Sequence, residues 1–206
     1  MTPQKRLSTD ERQRQIAEAA LRIIASSGVR RLTAAALAEE VGITDGAIFR
    51  HFKNKEEIVD AAIDLFASAL EESFPPDEGE PLERLGLFLV KRLTLVRQNP
   101  EILRLAFNDR LTEAAGERGA ARIEQLVGRS VTLIHGCLSQ AQGRGLVSSD
   151  VPVMLLVWMV IGVIRGAATT GSHRVRGEKA LSNASPKKVW TTLEGFLRGT
   201  AKELSS

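Results

Sequence analysis

The 206-residue chain has no tyrosine, one cysteine and three histidines, and aromatic residues make up 4% of it. A single cysteine excludes an internal disulfide and fits a reducing cytoplasm. Cys137 lies beside apolar residues in a helical stretch and reads as a small core residue rather than a redox sensor. His51, His135 and His173 are scattered, and paired cysteines at ligand spacing are missing, so no metal site is expected. G-x-S-x-G, H-E-x-x-H and Walker-type loops are missing as well. The expectation is a protein that is not an enzyme, with no catalytic residues and no cofactor. The opening MTPQKRLSTDERQRQ has no apolar core of the kind a secretion signal needs, which again points to the cytoplasm.

Sustained two-residue alternation is absent, and so is any internal repeat, so the expected fold class is all-α. The longest apolar run, Val151 to Ile164, stops at Arg165, short of the roughly twenty residues a bilayer demands. A helix apolar on nearly every side belongs in a core or a subunit interface, and no membrane partner is expected. Net charge is only +3, so a nucleic-acid partner would depend on local patches such as Arg30-Arg31 and Lys53/Lys55.

What the chain does have is a pattern in Thr33 to Phe52, TAAALAEEVGITDGAIFRHF. Thr33 is placed to cap a helix with its hydroxyl. Leu37, Ala38 and Val41 give that helix an apolar face, and Gly42 suits its left-handed stop. Thr44 offers a second cap, and Ile48 and Phe52, four apart, anchor a second helix. Gly46, Ala47, Phe49, Arg50 and His51 then point elsewhere. This is the layout of a helix-turn-helix, whose second helix enters the major groove. Small residues at its start allow close approach, and exposed N–H groups there can hold a phosphate. A generic hairpin with solvated charges is the bland alternative.

The flanks favour the helix-turn-helix. Ser8 and Glu11 have capping-box spacing ahead of Ile16, Ala19, Ala20, Ile23 and Ile24, and that helix ends at Ser27-Gly28. Asn54 and Glu57 repeat the spacing ahead of Ile58, Ala62, Phe66 and Leu70. From Arg12 to Phe66 the chain closely resembles the DNA-binding domain of the TetR family of bacterial transcriptional regulators. The resemblance rests on IAEAALRIIASSGVRRLT, ALAEEVGIT, GAIFRHF and NKEEI, in that order. It implies a DNA-binding domain over residues 10–70 and a helical regulatory and dimerisation domain over 71–206.

The resemblance also implies contact roles. Thr33 and Thr44 would bond phosphates; Asp45, Gly46, Ala47 and Arg50 would lie near base edges; His51 and Lys55 would reach phosphates on the far side. Lys5 and Arg6 could form a basic arm. Phe49 departs from the family, which usually has a phosphate-bonding tyrosine there. Arg50 is the best base reader, since its fork matches guanine O6 and N7; a phosphate contact is its competing role.

Beyond the head, SFPPDEGEP from Ser73 to Pro81 is a break. A helix is expected over Leu82 to Gln98, with Leu85, Phe88, Leu89, Arg92 and Val96 on one face. Asn99-Pro100 opens another from Glu101 to about Ala115. Gly116 and Gly119 mark a gap before a long helix from about Ala120 to Gln142. Gly171 to Ser185 reads as a basic loop, and a last helix follows Ser185-Pro186. Phe66, Phe88, Leu103, Phe107 and Trp158 are candidate effector-pocket residues, with Arg92, His135 and Arg165 as polar anchors; ordinary core and ordinary ion pairs are the alternatives. By the family's pairing of its last two long helices, Val157, Ile161, Trp190, Leu193 and Phe196 are interface candidates, with monomer core as the alternative.

The expected function is a homodimeric regulator of double-stranded operator DNA, most simply a repressor released by a small apolar or amphipathic effector. Some members of the family instead bind many chromosomal sites and act on a partner such as the cell-division machinery. NPEILRL and GERGAARIEQL resemble such a member, and this is the alternative.

Overall fold

The computed structural model describes residues 8–99, residue 105, 110–168 and 184–202. Among the described residues the regular elements are all helical, so the fold is all-α. They are α1 (Thr9–Ser27), a 3-10 turn (Val29–Arg31), α2 (Ala34–Val41), α3 (Asp45–Ile48), α4 (Lys55–Glu71), α5 (Pro81–Gln98), α6 (Arg110–Ala114), α7 (Glu117–Gly143), α8 (Val153–Ala168) and α9 (Pro186–Lys202). Lys5, Arg6, Leu103, Phe107, His173 and most of the helix expected from Glu101 lie outside the described residues.

The chain forms two compact units. The first takes Met1–Ala69 and Glu101–Gln125, and the second takes Leu70–Pro100 and Leu126–Ser206. Residues 110–125, beyond the domain boundary expected at 70/71, fall in the first unit.

In the first unit α1 starts with the expected reciprocal cap. Ser8 Oγ accepts from the Glu11 amide at 3.2 Å, and the Glu11 carboxylate accepts from the Ser8 amide at 2.7 Å. Ile16, Ala19, Ala20 and Ile24 are buried, and Gly28 breaks the helix with a φ of 79°. Thr33 caps α2 by accepting from the Ala36 amide at 3.1 Å, and Gly42 ends it in the left-handed region (φ 74°, ψ 40°).

Four expectations change here. Thr44 makes no side-chain cap to α3; its carbonyl accepts from the Ala47 amide instead, at 2.9 Å. α3 itself is one turn long, continued by hydrogen-bonded turns that carry the His51 and Phe52 amides back to the Ile48 carbonyl. Asn54 Oδ1 accepts from the Glu57 amide at 2.8 Å, but the Glu57 carboxylate accepts from the Lys53 amide rather than the Asn54 amide. Gly119 lies inside α7, which begins at Glu117. A Cβ at Gly119 would stand 2.7 Å from Ile63 Cδ1, so this glycine serves close packing rather than a loop.

In the second unit α5 packs against α8 and α9. Leu82, Leu85, Phe88, Leu89, Leu93 and Val96 fill the inner face of α5. Gly86 lets the Trp190 ring lie directly on the helix: a Cβ there would meet ring atoms at 2.6 Å. Ser185 caps α9 through the Lys188 amide at 3.2 Å, with Pro186 at its first position.

Candidate nucleic-acid interface

Two buried side chains hold the second helix of the motif in place. Ile48 is fully buried and Phe52 nearly so. Between and before them the chain turns Thr44, Asp45, Gly46, Phe49 and Arg50 outward, with Ala47 half-buried. Phe49 is the unusual member, an aromatic ring 54% exposed on a polar face. Among the described residues Arg30, Arg31 and Arg50 form no ion pair with a carboxylate, and all three are exposed or partly so. Cations without an internal partner are available to phosphates or to base edges.

The rim is tied down by contacts that sequence reading missed. Gln13 Nε2 donates to the His51 carbonyl at 2.9 Å, fixing the turn after α3 to α1. Arg22 pairs with Glu40 at 2.9 Å, clipping α1 to α2. Neither pair is close in sequence, so no local signal announces them. Lys55 Nζ donates to the Val29 carbonyl at 3.1 Å. An ammonium has three donors, so this one bond positions Lys55 and leaves others to face outward. His51 is half-buried, with Nδ1 enclosed and without a partner. Thr33 is exposed, and its hydroxyl oxygen, already used as a cap, retains its proton for donation.

The residues expected for an effector are distributed differently. Phe66 is buried in the first unit. Phe88 and Arg92 are buried together in the second, with the guanidinium 4.9 Å from the ring centroid. His135 is half-buried and 3.4 Å from Ser139 Oγ. Trp158 is 64% exposed, and Arg165 is exposed as well. Of the interface candidates, Val157 and Leu193 are buried within the protomer, Ile161 and Trp190 are half-buried, and Phe196 is exposed. The large apolar side chains that α8 and α9 do expose are Met154, Leu155, Trp158 and Phe196. Among the described residues no helix is long and apolar enough to cross a membrane.

Comparison with known proteins agrees with this geometry. The family model for bacterial regulatory proteins of the tetR family matches residues 16–67, the stretch from α1 through most of α4. The chain is 27% identical over 184 residues to the nucleoid occlusion factor SlmA of Marinomonas sp. (strain MWYL1), covering 88% of this chain and 90% of that protein. It is 29% identical over 160 residues to SlmA of Vibrio vulnificus (strain YJ016), covering 76% and 81%. Its fold matches the ketosteroid transcriptional regulator KstR2 of Mycobacterium tuberculosis with a TM-score of 0.71 at 20% identity, over 91% of this chain and 93% of that one. It matches AibR, solved with isovaleryl coenzyme A and operator DNA, with a TM-score of 0.69 at 20% identity, over 90% and 97%. Residues 16–67 of this all-α chain thus form a head that matches the tetR-family DNA-binding model, and the chain as a whole has the fold of the solved regulators it is similar to.

Proposed function

We propose that the protein is a repressor that binds a palindromic operator as a homodimer and releases it when a small apolar or amphipathic effector binds the second unit. The observation that carries this reading is the outward face of α3, with Asp45, Gly46 and Arg50 exposed over buried Ile48 and Phe52. Arg50 reads a base edge, and Gly46 and Ala47 allow the backbone to approach the groove. Thr33, Thr44, His51 and Lys55 hold phosphates around it, and Phe49 packs its ring against the sugar-phosphate chain. Dimerisation uses α8 and α9, whose exposed Met154, Leu155, Trp158 and Phe196 form an apolar surface for a second copy. Two reading helices held about one DNA turn apart, roughly 34–36 Å, make the preferred site palindromic. The effector weakens binding by favouring a state of the dimer that fits DNA less well.

Selection of bound duplexes from a random pool by the purified protein tests this. A two-fold symmetric consensus is expected; enrichment of a single half-site or of nothing would sink the dimeric-operator reading.

A second reading has one specific observation in its favour. The SlmA relatives align over most of both chains and are named nucleoid occlusion factors. On that reading the protein binds many chromosomal sites and acts on a partner such as the division machinery. Chromosome-wide mapping of bound sites separates the two: a few sites near promoters favour repression, whereas many dispersed sites favour the partner-directed role.

A further inference from the structure

Arg92 lies on the inner face of α5 with 6% of its surface exposed. Its guanidinium carbon is 4.9 Å from the Phe88 ring centroid and 5.6 Å from that of Phe74. The two rings are 5.7 Å apart and tilted by 46°, so the cation sits in an aromatic notch. Nη2 donates to Ser130 Oγ at 3.2 Å, and that hydroxyl donates onward to the Leu126 carbonyl. Nε is buried without a partner. Among the described residues no carboxylate reaches the group. Arg129 provides the contrast. It stacks on the same Phe74 ring at 4.6 Å but is neutralised by Glu71 at 2.8 Å. All of these residues belong to the second unit.

A buried charge is tolerated when it is paired and hydrogen-bonded. Ring faces attract a cation but do not satisfy its planar fork of N–H donors as oxygen acceptors do. One neutral hydroxyl does not balance the charge either. Burial lowers the Arg92 pKa to about 10, which leaves the group protonated at neutral pH. An anion with two in-plane oxygens would satisfy it, the shape a guanidinium fork binds best. One unneutralised cation suits a monoanion; a phosphate dianion would call for a second, and Arg129 is already committed to Glu71.

We propose that Arg92 anchors the carboxylate of an effector whose apolar body packs on Phe74 and Phe88, an assignment that rests on the effector reading above. The test is calorimetric titration of the full chain with decanoate and 4-phenylbutyrate, with decanol and inorganic phosphate as controls. Wild type is expected to bind at least one carboxylate, and decanol at least tenfold more weakly. Arg92→Met is expected to lose carboxylate binding by at least tenfold while melting no lower than wild type, because it removes an unbalanced buried charge. Arg92→Lys, which keeps the charge without the fork, should fall between them. If Arg92→Met does not fold, the preference of Arg92→Lys for decanoate over decanol decides, and its absence overturns the proposal. Equal carboxylate binding by wild type and Arg92→Met overturns it, as does phosphate saturating the site or the failure of both carboxylates to bind wild type. DNA affinity is measured separately. Carboxylate binding through Arg92 with no change in DNA affinity upholds the site and overturns the effector reading instead.

Discussion

Phe49, the C-cap of α3, is the residue that departs most clearly from the TetR pattern the head resembles. It is exposed where a polar group would meet DNA, and it has no hydroxyl to offer a phosphate. Phe49→Tyr should therefore tighten binding to the selected duplex by about 1 kcal/mol, roughly fivefold. Fluorescence anisotropy checks it, and no gain would mean that the ring does not face the backbone. The outward residues of α3 were legible in sequence because motif and spacing agree there. Ile48 and Phe52, four apart, had to be inward, and that alone turns Asp45, Gly46 and Arg50 outward. Arg92 was legible as one member of the α5 stripe and as a candidate polar anchor. Its partner Phe74 lies in a Pro-rich break, where no periodicity links it to α5. Gln13 and His51 meet for reasons of tertiary packing that local patterns do not encode.

At the scale of elements, caps were read well where one side chain and one amide decide the outcome, as at Ser8 and Thr33. They were misread at Thr44, where a tight turn lets a carbonyl take the amide first. Glycines divided similarly. Gly42 stops α2 as expected, but Gly119 sits within a helix because a neighbouring side chain needs its space. Gly86 is a second case of close approach and yields a prediction. Alanine there gains up to about 1 kcal/mol of helix propensity. It also drives a methyl into the Trp190 ring, an overpacking that costs about 1–3 kcal/mol. The packing cost wins, so Gly86→Ala should lower the unfolding free energy by about 1–2 kcal/mol in a denaturant titration; a neutral or stabilised variant would show that the Trp190 ring moves aside freely. The cap at Ser8 carries a pH dependence. The bonds from the Ser8 backbone and side chain hold the Glu11 carboxyl below its ordinary pKa of 4.5. A lowered pKa in the folded state gives stability that is present above 4.5 and lost as pH falls through the folded value. Glu11→Gln should flatten that part of the acid-melting profile, and an unchanged profile would remove the cap from the acid response.

For the whole molecule the open requirement is a partner for α8 and α9. In the proposed dimer a second copy covers their exposed Met154, Leu155, Trp158 and Phe196. Trp158→Glu places a charge in the middle of that surface without disturbing the protomer core, since the ring is outside it. Light scattering should report a monomer with an unchanged circular dichroism spectrum; a persistent dimer would move the interface elsewhere. That Val157 and Leu193 turned out to be buried in the protomer shows the limit of sequence here. A helix apolar on all sides does not reveal which side meets its own core.

The central claim is that α3 reads sequence through Arg50. The most direct measurement is anisotropy titration of wild type and Arg50→Ala against the selected duplex and a scrambled duplex at one salt concentration. The account predicts that the variant loses about 1–3 kcal/mol on the selected duplex and little on the scrambled one. Equal losses on both would make Arg50 a phosphate contact, and no loss on either would contradict the claim outright.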